Sequence, residues 1–185
     1  DLGTHHPRGR LLLAQSDALK LPLANDSVDA LICSEVLEHI PNYLSVLEEI
    51  RRVVKPGGRV CVSVPRFWPE KICWLLNPEY SKTPGGHIRI FRATDLCREI
   101  ERYDLRLVHQ HGAHALHAPY WWLKCLFRDL DSSLVRIYHK FLIWDLMSKP
   151  CVTRWLDAVL NPWMGKSVVF YFDKVRGSDL KADSS

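Results

Sequence analysis

The chain has 185 residues, of which 47% are hydrophobic and 25% are charged, so it can bury an apolar core as one globular domain. The formal net charge is +4 and the basic residues are scattered, which argues against the dense basic stripe of a nucleic-acid-binding protein. The chain contains no uninterrupted apolar stretch of about 18 residues, so it predicts no membrane-spanning helix.

The cysteines and the N-terminus indicate the setting of the chain. Its six cysteines form no Cys-x-x-Cys pair, and several lie in apolar runs, as in Val60-Cys61-Val62. This usage is typical of thiols that pack as small apolar side chains, and it predicts a reducing, cytoplasmic setting. The chain begins at Asp1 without an initiating Met or a recognisable signal peptide, which indicates a fragment or a trimmed chain.

The first part of the chain predicts alternating strands and helices. Apolar runs predict strands at 10–15 and 28–33, separated by a turn-rich loop at 21–27. Apolar residues at helical spacing then predict a helix within 41–58, followed by a β-branched strand at 59–65. This strand–helix–strand order implies a right-handed parallel crossover. The helix is expected to turn its charged residues to solvent: Glu48, Glu49, Arg51 and Arg52.

The second part of the chain is richer in aromatic residues. Residues 66–88 are predicted to form a long, irregular loop, and a loop of this length in a compact domain is usually either functional or disordered. A helix is predicted at 93–100 and a strand at 105–109. The aromatic-rich stretch at 119–163 is predicted to be helical, and 167–172 forms a strong last strand.

Two polar motifs follow predicted strands. The first is Asp17-Ala18-Leu19-Lys20-Leu21-Pro22, and the second is Ser34-Glu35-Val36-Leu37-Glu38-His39. Open α/β sheets bind ligands at the carboxyl ends of their strands, so both motifs are candidates for a site. Together they resemble the middle of class I S-adenosylmethionine (SAM) dependent methyltransferases of the type 11 group. Those enzymes share a D-A-x-x-L-P loop and an E-V-L-E-H helix start.

The resemblance implies an α/β fold with a Rossmann-like sheet, of which strands 3 to 7 are present, and an aromatic-rich helical insertion before the last strand. The family's glycine-rich loop, which cradles the methionine part of SAM, is not recognisable in this chain. Asp1 is interpreted instead as the acid at the end of strand 2 that holds the ribose hydroxyls. The implied organisation is a partial core at 1–118, a helical insertion or substrate lid at 119–163, a last core strand at 164–176 and a disordered tail at 177–185.

The resemblance also implies the cofactor residues Ser16, Asp17, Ala18 and Ser34. The Asp17 carboxylate would accept a hydrogen bond from the exocyclic amine of adenine, and the Ala18 N–H would serve a ring nitrogen. Two structural alternatives stay open. Asp17 caps the loop after its strand, and Ser34 caps the start of a helix.

Glu35, Glu38 and His39 are spaced at i, i+3 and i+4, so a helix would place them on one face. The S-E-V-x-E-H pattern resembles ubiquinone-type O-methyltransferases, which implies a Mg²⁺ site that orients and acidifies a catechol-type hydroxyl. The alternative is that Glu38 and His39 only support the helix start. His39 and then Glu35 are the predicted catalytic residues, with His87 as a further candidate base.

Four more histidines are clustered from the last residue of the predicted strand at 105–109 onward, and they are expected to serve the surface and the substrate cleft rather than a metal. They are His109, His111, His114 and His117.

The expected function is methyl transfer from SAM to a small apolar or aromatic acceptor, with oxygen favoured. One alternative is a non-catalytic methyltransferase-like interaction module. Another is a peripheral membrane-binding protein that uses the aromatic insertion. The residues considered for that contact are Trp121, Trp122 and Trp144 with Lys124, Arg128 and Lys140. No nucleic-acid partner is expected, and the oligomeric state does not follow from the sequence.

Overall fold

The computed structural model describes residues 13–80, 86–128 and 132–176. Its strands form one sheet in the order β1-β2-β4-β3, in which β1 is parallel to β2 and β4 is antiparallel to both of its neighbours. The elements are β1 (Val28–Ser34), α1 (Tyr43–Val53), β2 (Val54–Pro65), α2 (Phe67–Leu76), α3 (Ala93–Glu101), β3 (Leu105–Ala113), α4 (His117–Phe127), α5 (Ser133–Ser148), α6 (Cys151–Met164) and β4 (Ser167–Lys174).

The predicted α/β class is confirmed, with three helices inserted before the last strand. The predicted strand at 10–15 is not seen, because residues 13–15 have no strand structure and 10–12 lie outside the described residues. A strand needs a hydrogen-bonded neighbour, and the part of the chain that the structure describes provides none for this segment. Asp1 and the predicted tail at 177–185 also lie outside the described residues.

The core lies between the sheet and the helices packed on it. Phe170 and Phe172 of β4 are fully buried, as are Val62 of β2, Leu47 of α1 and Ile100 of α3. Burying such side chains contributes about 25 cal/mol per Å² of apolar surface. This packing fixes the end of β1, where the second polar motif begins at Ser34.

Helix α2 occupies part of the stretch that was predicted to be a loop. Its third residue is Pro69, which the first turn of a helix tolerates because the N–H there has no intrahelical partner. The helix buries Glu70 and Cys73. A loop prediction therefore missed the element that carries one of the buried charges of the site.

Helix α6 lies directly on β3 at Gly112. A Cβ atom added to Gly112 would clash with the backbone oxygen of Asn161, so only glycine allows this approach. One side of α6 is thereby fixed on the edge strand of the sheet.

Candidate active site

A cavity of about 280 Å³ opens where several strands end. Pro65 of β2 and Ala113 of β3 both pair with Ser167 of β4, so the carboxyl ends of β2 and β3 meet the start of β4 at the same end of the sheet. Helix α4 supplies a further wall through His117 and Trp121. The lining residues are Glu35, Tyr80, His87, His114, His117, Trp121, Lys166 and Ser167.

The turn after β1 is attached to the end of β2. Glu35 donates its backbone N–H to the Ser63 oxygen at 3.0 Å, and the Ser63 hydroxyl donates to Glu35 Oε1 at 3.0 Å. The Ser34 and Ser63 hydroxyls lie 2.9 Å apart. Glu35 has a φ of 53°, in the left-handed region. The predicted candidate Glu35 is thus held at the cavity wall.

The predicted helix start at 35–39 is wrong, because residues 35–42 contain turns and α1 begins only at Tyr43. The left-handed backbone of Glu35 cannot continue into a helix, and Pro41 disfavours helical backbone at Ile40. Ser34 therefore does not cap a helix. The three residues Glu35, Glu38 and His39 do not share a helix face.

A buried charge cluster lies beside the cavity. His87 Nδ1 is 2.5 Å from Glu70 Oε1, and Lys166 Nζ is 3.3 Å from Glu70 Oε2. Glu70 is only 1% exposed. Burial alone would raise the pKa of Glu70, but the bond from His87 and the charge of Lys166 outweigh it and hold the pKa below its ordinary value. Glu70 is therefore an anion between two donors.

Glu38 is fully buried, and neither of its carboxylate oxygens has a hydrogen-bond partner among the described residues. Burial raises the pKa of Glu38 to about 7, and the charges of Glu35 and Glu70 add to the increase. The Nε2 atoms of His39 and His87 lie 3.8 Å and 4.0 Å from Glu38 Oε1. These distances are too long for hydrogen bonds.

Both histidines have their other nitrogen fixed by an acceptor. His39 Nδ1 lies 3.2 Å from the backbone oxygen of Gly86, which can only accept, so this nitrogen carries the proton. The Glu70 carboxylate fixes His87 in the same way. Each Nε2 is thus an unprotonated nitrogen in the neutral ring, and both lie near the buried Glu38. This arrangement resembles the support that proteins give to metal-binding histidines.

The chemistry of these donors tests the predicted metal site. Ligand atoms of Glu38, His39 and His87 lie within 4.8 Å of one another. Two imidazoles and one carboxylate form a zinc-type donor set, whereas Mg²⁺ prefers oxygen ligands. Glu35 is not part of this group, and its carboxylate binds Ser63 instead. The donors therefore do not fit the predicted Mg²⁺ site.

The predicted cofactor loop is a tight turn. Asp17 Oδ1 accepts the Leu19 N–H at 2.9 Å, and the Asp17 backbone oxygen accepts the Lys20 N–H at 3.0 Å. Ser16 and Asp17 are exposed, and Ala18 packs against the core. Asp17 thus caps its own turn. Because the residue is exposed, it is also accessible to a cofactor, and the predicted cofactor contact stays a prediction.

Sequence reasoning missed the residues that hold this loop. Glu49 Oε1 accepts the Leu21 N–H at 2.6 Å, and Arg52 donates to the oxygens of Leu21 and Leu23 at 3.1 Å and 2.7 Å. Glu49 and Arg52 also form an ion pair at 2.6 Å, which holds the pKa of Glu49 below its ordinary value. Glu49 is buried rather than exposed as predicted.

The histidine cluster divides between two places. His109 and His111 lie on the sheet surface, where His111 stacks on Tyr171 with ring centroids 5.7 Å apart. His114 and His117 line the cavity, with ring centroids 5.2 Å apart. Burial lowers the pKa of His117, and His114 adds to the decrease. His117 is therefore a neutral imidazole at neutral pH.

Known proteins resemble the chain in sequence and in fold. Residues 10–110 match the family described as "Methyltransferase domain". The ubiquinone biosynthesis O-methyltransferase of Aeromonas salmonicida is 32% identical over 114 residues, which cover 58% of this chain and 46% of that protein. A demethylmenaquinone methyltransferase of Bacillus velezensis is 50% identical over 48 residues, covering 26% of this chain and 21% of that protein.

The fold comparison agrees with the sequence match. A protein solved as a methyltransferase from Bacillus halodurans C-125 superposes with a TM-score of 0.53 at 18% identity, covering 89% of this chain and 78% of that one. The chain spans less than half the length of the two sequence relatives named above. From the family match and the sheet topology, the chain belongs to the methyltransferase domain family and has the Rossmann-like fold of class I SAM-dependent methyltransferases.

Proposed function

We propose that the protein transfers a methyl group from SAM to an oxygen atom of a small apolar or aromatic acceptor. The observation that carries this proposal is the cavity at the strand ends, which combines the aromatic side chains of Tyr80 and Trp121 with titratable groups. Ligand pockets commonly combine apolar walls with a few polar groups in this way. The naming of the Aeromonas relative as an O-methyltransferase supports oxygen as the acceptor atom.

The proposed cofactor contacts are Ser16, Asp17, Ala18 and Ser34, and Asp1 stays a prediction outside the described residues. SAM supplies an electrophilic methyl group for in-line attack. The turn at Asp17 is held by Glu49 and Arg52, so a contact with the nucleoside would need little reordering of the loop. Ser34 is positioned by its hydroxyl contact with Ser63.

The acceptor would lie against the rings of Tyr80 and Trp121, which contact each other with centroids 6.2 Å apart. Lys166 Nζ lies 5.2 Å from the Trp121 ring, so its positive charge favours an acceptor oxygen that becomes negative. His117 would accept the acceptor's proton, because its lowered pKa keeps it neutral. Such a base contributes about 10²–10⁴ in rate. Holding the acceptor in line with the methyl group contributes more.

The two predicted catalytic residues have different proposed roles. Glu35 lines the cavity and is held by Ser63, so it would orient the acceptor. His39 contacts His87 with ring centroids 4.9 Å apart and lies beside Glu38. We propose that His39 binds a zinc-type ion together with Glu38 and His87. This role replaces the predicted Mg²⁺ site and the predicted role of His39 as a base. Such an ion acts as a Lewis acid on oxygen.

The proposed setting is cytoplasmic. The six cysteines are all free, which suits a reducing compartment. Burial raises the pKa of Cys33 to about 12, so this thiol is protonated and inert at neutral pH.

Calorimetric titration of S-adenosylhomocysteine into the full-length protein tests the function. We expect binding that Asp17→Ala weakens at least ten-fold. The matched control is Asp29→Ala, which removes another exposed acid, one that pairs with Lys55. Equal loss in both variants would contradict the role of Asp17. A full-length protein that does not bind at all would favour the non-catalytic interaction module.

A further inference from the structure

Helix α6 exposes a continuous apolar stripe. Val152, Trp155, Val159 and Trp163 are spaced at i, i+3, i+7 and i+11, which places them on one face. They are 75%, 66%, 48% and 78% exposed, respectively. We call these four residues the α6 stripe. Since α6 packs on β3 at Gly112, the stripe is its outward side.

Helix α5 also exposes apolar side chains, up to the two-residue junction that separates it from α6. Only Val135 and Leu142 of this 16-residue helix are buried. Trp144 is 50% exposed and Met147 is 78% exposed. The other exposed large apolar residues of α5 are Leu134, Ile137, Ile143 and Leu146. Proteins rarely leave so much apolar surface in contact with water without a binding function.

The charges beside this apolar surface are asymmetric. All four basic residues of the α5–α6 region are exposed: Arg136, Lys140, Lys149 and Arg154. The two acids, Asp145 and Asp157, are half-buried, and Asp157 Oδ1 accepts the Leu116 N–H at 3.0 Å. Exposed tryptophans and aliphatic residues flanked by cations are typical of helices that lie in the headgroup region of an anionic membrane.

We propose that the α6 stripe, together with Trp144 and Met147 at the neighbouring end of α5, binds the surface of an anionic phospholipid membrane. Among the described residues no helix is long and apolar enough to cross a bilayer, so the contact is with one leaflet. The proposal does not depend on methyl transfer. It keeps Trp144 and Lys140 of the predicted membrane contact. It leaves out the two tryptophans of α4, because Trp121 lines the cavity and Trp122 is half-buried with its Nε1–H bonded to the Pro69 oxygen at 3.1 Å.

Two other occupants fit the observations less well. A second copy of the chain would bring exposed cations together without an exposed acid in the same helices to pair with them. A further segment of a longer protein that extended the sheet would pair with β1. This strand lies at the opposite edge of the sheet from β3, and α6 packs on β3, so such a segment would not cover the α6 stripe.

Co-sedimentation with lipid vesicles tests the proposal. We expect the protein to bind vesicles of equal parts phosphatidylglycerol and phosphatidylcholine, and to bind pure phosphatidylcholine at least ten-fold more weakly. Lys140→Glu with Arg154→Glu should weaken binding more than twenty-fold, because each lost cation near an anionic surface reduces partitioning about five-fold. Trp155→Ser with Trp163→Ser should weaken binding at least ten-fold.

The control is Ile32→Ser, which removes a 76% exposed apolar side chain from β1 at the opposite sheet edge and should leave binding unchanged. Circular dichroism confirms that each variant is folded. Equal binding to both kinds of vesicle, or equal loss in Ile32→Ser, would overturn the proposal. So would a dimer in light scattering that Trp155→Ser with Trp163→Ser dissociates, because that result identifies a second copy as the occupant.

Discussion

The bond between His87 Nδ1 and Glu70 Oε1 directs the other nitrogen of His87 toward Glu38. Glu70 belongs to α2, and His87 belongs to the segment before α3. The orientation of the His87 imidazole therefore depends on a residue from a separate element. Lys166, the residue before β4, balances the buried charge of Glu70. The cluster therefore ties α2 to the residue before β4 and to the His87 side of the cavity.

Replacing Glu70 by Gln should destabilise the protein. The change keeps the side-chain size but leaves the nearly buried Lys166 without its carboxylate partner, which costs about 3 kcal/mol of unfolding free energy. Because the pKa of Glu70 lies below its ordinary value when folded, this contribution is complete above about pH 4.5. It disappears as the pH falls through the lower folded pKa. Urea denaturation at pH 7 and in acid measures both effects.

The matched control for this change is Glu48→Gln on the exposed side of α1, which should stay within about 0.5 kcal/mol of the wild type. If Glu70→Gln and Glu48→Gln unfold at the same urea concentration, Glu70 is not paired as described.

A zinc titration tests the donor group at Glu38. We expect one Zn²⁺ per chain in competition with a chromophoric chelator, and no competition from Mg²⁺. Glu38→Gln and His87→Asn each remove a donor and should weaken binding more than 100-fold. Glu70→Gln removes only the partner of His87 and should weaken it about 10–100-fold. His109→Asn on β3 is the control, and an equal loss there would point to adventitious binding.

The anchoring of the Asp17 loop by Glu49 predicts a coupled effect on local stability and cofactor affinity. Glu49→Ala removes the acceptor of the Leu21 N–H, and a hydrogen bond to a charged group contributes about 2 kcal/mol. Hydrogen exchange at Leu21 should therefore accelerate. S-adenosylhomocysteine affinity should fall about ten-fold, since the loop must then be ordered on binding. The neighbouring Glu48→Ala should change neither quantity. Faster exchange with unchanged affinity would remove the loop from the cofactor site.

The local sequence pattern explains which parts of the molecule could be predicted. Continuous apolar runs identified β1, β2 and β4, and helical spacing identified α1. The same spacing, taken in the correct phase, also predicts the burial of Glu49. That residue lies on the helix face of Val46, Ile50 and Val53. The error came from assigning every charged residue to solvent, although a buried carboxylate is stable when it is fully bonded.

The rest of the site depends on contacts between distant residues. The left-handed backbone of Glu35 is held by the end of β2 and leaves no mark in the local pattern, so a helix start was predicted there. The group of Glu38 and His87 joins positions 49 residues apart in the chain, and Glu70 reaches it from a helix predicted as a loop. Motif spacing therefore indicated two of the three donors, Glu38 and His39, and missed His87.

The lowered pKa of His117 gives a final prediction with a definite sign. Its folded pKa lies below the unfolded value of about 6.5, so the folded state resists protonation. Stability should therefore be highest above about pH 6.5 and fall as the pH decreases toward the folded pKa. His117→Asn should remove that part of the decrease, as measured by urea denaturation at pH 7, 6 and 5. The His117 imidazole signal in the wild-type NMR spectrum is identified by its absence from the spectrum of His117→Asn. That signal should titrate below pH 6.5. A signal that titrates above that value would contradict both the burial of His117 and its role as a neutral base.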